Sequence, residues 1–464
     1  MEIVIIGGGI SGLSTAFAIE QEAKRRNVDV TVRLFEAQER LGGKIDSRAQ
    51  RGFVIEGGVN GWLDSKPSTD ALCRELGIYE ERLPSNDASR HRFILRHGRL
   101  MEVPTGPAAF FMSGLLSWRG KLRLAREPWA TAKPEGDESL ADFARRRLGP
   151  EALAVLLDPM VSGIFAGDPE RMSLKSCFPR IAEIEAQHGG LVRGMIKIQR
   201  ERAAERKRGL AANKVSVAGP SGKLISFASG TSRIVEALTG RLRTPPLVDR
   251  SLSRVTKKGS SFSLTFAGGF TASAEKLVLA TPAYAAAGVL VDLDNELSRE
   301  LLQIPYAAVT VVAIAWRRED MPHPLNGFGF VVPFAEGEEI LGTLWDSSIF
   351  AHRAPKGYVL LRSMVGGSRR GDLASRAEAE ISESVRAVTE RLTGVKAKPE
   401  LVEIIRHEKA IPQYVVGHGE KLCRIEARRA LFPGLFFTGN AYHGVGLNDC
   451  TAGAKRVAQA VLAS

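Results

Sequence analysis

Cysteine is scarce in this chain: four residues in 464, at positions 73, 177, 423 and 450, with no C-x-x-C pair and no closely spaced framework. That pattern excludes a disulfide-stapled secreted scaffold and a structural zinc site, and it fits a reducing cytoplasm. Long apolar runs are missing as well. The first, Ile3-Val4-Ile5-Ile6, leads straight into glycines and reads as a short strand, not a signal peptide. The longest elsewhere, residues 108–118, falls short of the roughly 20 residues a spanning helix needs. No targeting or membrane-crossing segment is expected. No Ser-His-Asp, Cys-His, paired-carboxylate or metal-ligand arrangement can be assigned from spacing.

What is present is ordinary globular composition, 44% hydrophobic and 25% charged, in a chain too long for one core. Two or three domains follow. The surplus is basic: 64 Lys and Arg against 52 Asp and Glu, a net charge of +12. No nucleic-acid-binding module accompanies it. A carboxylated substrate and acidic lipid headgroups are the better counterparts.

Two constellations carry chemistry. Ile3-Val4-Ile5-Ile6 reads as a buried parallel strand, followed by Gly7-Gly8-Gly9-Ile10-Ser11-Gly12 and an amphipathic stretch over 13–24. Gly7, Gly9 and Gly12 form G-x-G-x-x-G in the strand–turn–helix setting that a dinucleotide pyrophosphate requires. The next strand, over 30–35, ends in Glu36, suited to ribose hydroxyls. Arg40-Leu41-Gly42-Gly43-Lys44 and Glu56-Gly57-Gly58 then resemble the second FAD signature of the glutathione-reductase-like flavoproteins, Arg40 being expected to ion-pair phosphate. The second constellation is Gly439-Asn440-Ala441-Tyr442-His443-Gly444-Val445-Gly446, ahead of a helix beginning near Asn448. Its glycines let amides approach a flat ring, and the helix's positive end would stabilise negative charge there. His443 is the one titratable group in this loop that changes charge near neutral pH, and a structural role suits it best.

Coarse patterning gives strands over 248–255, 261–265, 276–282, 309–316, 328–332, 358–364 and 434–440, a covering helix over 377–392, and a mostly helical stretch over 105–208. The fold class is α/β: a discontinuous Rossmann-like FAD-binding domain (1–85, 209–285, 415–464), an antiparallel-sheet substrate domain (86–104, 286–414) and a helical insertion (105–208). Within the insertion, Phe110, Phe111, Met112, Leu115, Leu116 and Trp118 precede Arg119, Lys121, Arg123 and Arg126, a composition that suits a helix at a membrane interface. Burial of that helix among its neighbours is the competing reading. The run over 200–208 reads as a solvated face, and 131–139 and 209–222 as connections.

Over essentially its full length the chain resembles the protoporphyrinogen oxidases. Besides the two flavin motifs, the carrying segments are His91-Arg92-Phe93-Ile94, Pro104-Thr105-Gly106, Gly163-Ile164-Phe165-Ala166-Gly167, Ser176-Cys177-Phe178-Pro179 and Gly327-Phe328-Gly329. The resemblance implies FAD held by Gly7, Gly9, Ile10, Ser11, Gly12, Glu36, Arg40, Gly42, Gly43, Lys44, Gly57, Gly58, Val255, Thr281, Gly439, Asn440, Val445, Gly446 and Leu447. It implies a tetrapyrrole substrate with Arg92 toward a propionate, and Phe328, Gly329, Val331 and Gly163 around the rings. Asn60 is carried over as a polar substrate contact, although the spacing after Glu56 differs by one residue. The implied reaction is the six-electron oxidation of protoporphyrinogen IX in haem synthesis, with molecular oxygen as acceptor and no single catalytic acid or base. The implied place is cytoplasmic, peripheral on an anionic surface at the inner face of the cell membrane; a homodimer is allowed. The alternatives are coproporphyrinogen III as substrate, a flavin amine oxidase or desaturase, and a flavin-free binding protein on the same fold.

Overall fold

A computed structural model describes residues 1–104, 106–130, 136–207 and 222–463. Thr105, Arg208, residues 131–135 of the first expected connection and all of the second but Gly222 lie outside the described residues.

Four parallel strands form the first sheet, in the order Leu435–Phe437, Lys276–Leu279, Glu2–Ile6, Thr31–Phe35. Three widely separated chain segments thus meet, with the first strand central, as buried β-branched runs require. Ile3 and Ile5 face one core, shared with helices Ile10–Arg26 and Leu447–Ala463. Val4 and Ile6 face the other, shared with the three-stranded meander Leu252–Lys258, Ser261–Phe266, Thr271–Ala274. The strand termini carrying Gly7, Thr281 and Gly439 therefore open on one edge of the sheet.

The second sheet has seven strands, in the order Leu401–Pro412, Tyr306–Arg317, Tyr358–Gly366, Ile340–Leu344, Gly329–Val331, Phe93–Arg96, Arg99–Glu102. It is mixed where an antiparallel sheet is expected, because Phe330 and Val331 pair in parallel with Phe93 and Ile94. The strand Leu401–Pro412 carries too many charges to be read as one. It lies at the sheet edge, where alternate side chains meet water. Helix Glu378–Thr393 covers one face through Ile381, Val385 and Val388.

The stretch over 107–207 is helical as expected, but residues 108–118 do not form one interfacial helix. Helices Pro107–Met112 and Trp118–Ala125 are separated by a break whose Leu115 and Leu116 pack on Ile94 and Val155. Among the described residues, no helix is long and apolar enough to cross a membrane.

Candidate active site

The first strand ends at Gly7 (φ +109°), where a Cβ would lie 2.9 Å from the Ala280 carbonyl oxygen. A Cβ on Gly12 would lie 1.9 Å from the Gly7 carbonyl oxygen, so helix and strand touch through that glycine. Gly9 is different: its Cβ would meet nothing closer than 3.9 Å, so it floors an open cradle walled by Gly42 and Gly43. Ile10 and Ser11 open the helix Ile10–Arg26, whose N-cap is Gly9 and which has no side-chain cap, leaving its first amides for an anion. Glu36 closes its far side, accepting from the amides of Gly8 (2.6 Å) and Gln38 (2.9 Å) and keeping lone pairs for further donors.

Arg40 turns back on its own loop. Its guanidinium donates to the carbonyls of Leu41, Ile45 and Gly43 at 2.6–3.0 Å, and so holds Gly42 and Gly43 in their positive-φ turn. Arg40 thereby supports the double glycine beside the cradle. Gly57 and Gly58 also serve close packing, since a Cβ on Gly58 would sit 2.3 Å from the Lys44 carbonyl oxygen.

That glycine pair is where the two sheets meet. Arg362 donates to the carbonyls of Glu56 (2.8 Å) and Gly58 (3.3 Å) while its Nε holds Asp346 at 2.8 Å. From the edge strand, His407 Nε2 lies 2.7 Å from the Gly57 carbonyl oxygen and so donates to it. Burial depresses the His407 pKa, the Gly57 bond opposing, and burial alone depresses that of the Lys44 ammonium nearby. Asn60 follows, with both amide atoms buried and without a partner among the described residues; the Thr281 hydroxyl is in the same state. Buried polar atoms left without a protein partner are what a bound polar ligand would satisfy.

On the opposite side, Gly439 (φ +135°) and Gly444 (φ +123°) bracket a loop carrying Asn440, and Val445 and Gly446 lead into helix Leu447–Ala463. Gly446 N reaches Asp449 Oδ2 at 3.3 Å, and Lys66 holds the other oxygen at 2.7 Å. Asn448 accepts from Thr69 N (3.1 Å) and donates to the Leu63 carbonyl (2.9 Å), anchoring the helix start. His443 lines a cavity of about 340 Å³ together with Thr438, Gly439, Tyr442, Cys450 and Arg456. Burial and Arg456 lower its pKa, Glu426 opposing. Val255 is fully buried in the meander, paired with Leu264, so its side chain belongs to the core.

Arg92, Phe328, Gly329, Val331 and Gly163 come together as one wall. The Phe328 amide donates to the His91 carbonyl (2.8 Å), which brings the Arg92 guanidinium over the Phe328 ring at 5.3 Å. Gly329 (φ +129°) lets its strand pass the Thr343 carbonyl, and a Cβ on Gly163 would lie 3.1 Å from Val331 Cγ1. Arg92 is exposed to solvent, although packing on the walls beside it lowers its pKa by partial desolvation, with no acid opposing. His407 and Arg362 are the residues that sequence reasoning missed. The available signal was an arginine inside the apolar run 358–366.

The flavin containing amine oxidoreductase family matches residues 10–462. The coproporphyrinogen III oxidase of Bacillus subtilis (strain 168) is 32% identical over 97% of this chain and 95% of its own. The chloroplastic protoporphyrinogen oxidase of Oryza sativa subsp. japonica is 33% identical over 99% of this chain and 88% of its own. A crystal structure from Exiguobacterium sp. 255-15, of a protein provisionally named a protoporphyrinogen oxidase, superposes with a TM-score of 0.84 at 27% identity, covering 100% of this chain and 99% of that one. With a glycine cradle and unpaired polar groups that fit FAD, this chain belongs to the flavin containing amine oxidoreductases and is an FAD-dependent enzyme of the group that includes the porphyrinogen oxidases.

Proposed function

We propose that this enzyme oxidises protoporphyrinogen IX to protoporphyrin IX, passing six electrons in three two-electron steps to three molecules of oxygen and releasing three of hydrogen peroxide. The observation that carries the reading is Arg92, a cation with no acidic partner among the described residues, set over an aromatic ring beside an apolar wall. A flat dicarboxylate meets both needs: ring faces against Phe328 and Val331, a propionate on Arg92. FAD, when bound, supplies the two-electron acceptor. The chain's own part is to hold and orient. Gly7–Gly12, Glu36, Lys44, Thr281 and Gly439–Leu447 hold the cofactor, while Asn60 offers substrate a polar contact, Arg92 fixes the macrocycle's angle and the wall excludes water. No side chain is assigned to cleavage of the carbon–hydrogen bond.

Porphyrin fluorescence in air, with protoporphyrinogen and coproporphyrinogen offered in parallel, tests this. A much faster rise with protoporphyrinogen supports it; no rise with either, from protein that holds FAD, overturns it. Coproporphyrinogen III is the second reading, favoured by the name of the Bacillus relative, and faster use of it would select that reading.

A lipid surface is the second part of the proposal. Met112, Trp118 and Trp129 are 88%, 76% and 78% exposed, with Phe111 and Leu122 beside them and the exposed cations Arg119 and Arg126. Such a patch suits an anionic headgroup layer. Lys121 and Arg123 turn inward instead, to the carbonyls of Ser113 and of residues 145–147. Flotation with anionic liposomes, lost in a Trp118→Glu, Trp129→Glu variant, is the expected result.

A further inference from the structure

We propose that Tyr414 is a positioning residue for the flavin-facing loop 439–447, setting the electrostatics of the flavin without touching substrate. The inference rests on the FAD site and not on which porphyrinogen is used. Tyr414 lies just beyond the strand Leu401–Pro412, almost wholly buried. Its hydroxyl donates to the Asn440 carbonyl (2.5 Å) and accepts from the Gly444 amide (2.8 Å). One oxygen thus ties together two peptide groups four residues apart, in a loop whose glycines at 439 and 444 leave the backbone many conformations. Neither group lies in a strand ladder or an intrahelical bond, so removal of the hydroxyl orphans both.

The other side of Tyr414 is held as firmly. Its ring stacks on His418 at 4.3 Å and 13° and leans on Phe165 at 6.3 Å. Its carbonyl accepts from Ser173 N (2.8 Å), and the neighbouring Gln413 amide donates to the Phe165 carbonyl (2.8 Å). Phe165 ends the helix Asp158–Phe165 that carries Gly163, the wall residue opposite Val331. The hydroxyl is therefore placed by the helical region and the seven-stranded sheet together, and it delivers that placement to the peptide groups of Asn440 and Gly444. Burial raises the Tyr414 phenol well above its ordinary pKa, so it remains a neutral donor wherever the protein is folded.

Tyr414→Phe keeps the ring and removes both bonds. The expected holoenzyme folds and retains FAD, but its flavin midpoint potential is more negative and its affinity for sulfite, which adds to oxidised flavin, falls roughly 10-fold. With substrate, flavin reduction slows by a similar factor while KM is unchanged. Potential and sulfite binding need no porphyrinogen, so they decide the matter even if the substrate reading fails. A Tyr414→Phe holoenzyme with wild-type potential and sulfite affinity would overturn the proposal. Amide exchange in the unaltered holoenzyme is the check that needs no variant: the Gly444 amide should be protected, and exchange at the rate of a free peptide would overturn it as well.

Discussion

The Arg353 guanidinium lies 2.7 Å from the Glu56 carboxylate, and neither side chain has any exposed surface. Glu56 also accepts from Thr231 N (2.8 Å), Thr231 Oγ (2.9 Å) and Ser47 Oγ (2.6 Å). It thereby pins the backbone just ahead of Gly57 and Gly58 to both the flavin side and the substrate side. A buried pair can cost nearly as much to desolvate as it gains, but removing one partner strands the other. Glu56→Gln should therefore lower unfolding free energy by about 3–5 kcal/mol. Urea unfolding of the apoprotein measures it, and a loss under about 1 kcal/mol would show that water reaches Arg353.

Two glycines of one motif should fail in different ways. Gly12→Ala places a Cβ 1.9 Å from a backbone oxygen and should yield little folded protein. Gly9→Ala meets nothing within 3.8 Å and sits at φ −74°, so the fold should survive. Its methyl occupies the cradle, and FAD affinity should fall by at least about tenfold, roughly 1.4 kcal/mol. Flavin absorbance after gel filtration, set beside thermal unfolding of the apoprotein, separates the two; a yellow Gly9→Ala protein would remove Gly9 from the cradle floor.

The glycine motif was legible because the strand–turn–helix unit is local: Gly12 answers to the Gly7 carbonyl within it, although the carbonyl that crowds Gly7 itself, that of Ala280, follows the distant strand Lys276–Leu279. The wall of Arg92, Phe328 and Gly163 could be listed from resemblance, but its assembly depends on a parallel pairing, Phe330 with Phe93, that no periodicity encodes. A cation beside two glycines suits a phosphate, but the bonds of Arg40 to the carbonyls of its own turn are visible only in three dimensions. The strand Leu401–Pro412 escaped because an edge strand with one wet face looks like a polar segment. With it went His407 and Tyr414, whose partners lie 350 and 26–30 residues away.

Arg92 makes a quantitative case for substrate charge. Because Arg92 is exposed to solvent, a propionate pairing with it gains about 0.5–1 kcal/mol. Arg92→Ala should then lower kcat/KM by roughly 2- to 5-fold, chiefly through KM, with the flavin spectrum unchanged. Esterifying the substrate's propionates should reproduce the loss in the wild-type enzyme and add little in the variant. Equal losses on esterification in both proteins would place the carboxylate elsewhere.

Acid sensitivity should centre on His418. The ring is buried against Tyr414, and its pKa is pushed down to about 4 by burial, with Lys421 and His443 adding to the shift and Asp137 opposing it. Folded, the imidazole stays neutral; unfolded, it takes a proton near its ordinary value of about 6.5. The unfolded state thus binds the extra proton between those values, so stability is intact above about pH 6.5 and is lost as pH falls toward 4. At 1.36 kcal/mol per unit the loss from this residue is roughly 3 kcal/mol. Burial also lowers His407, His352 and His323, so some acid sensitivity should persist without His418. His418→Phe keeps an aromatic partner for Tyr414 and removes the titration. Urea unfolding at pH 7 and pH 4.5 should therefore show a smaller drop in the variant than in the wild type, and parallel drops would mean that His418 is protonated in the folded protein.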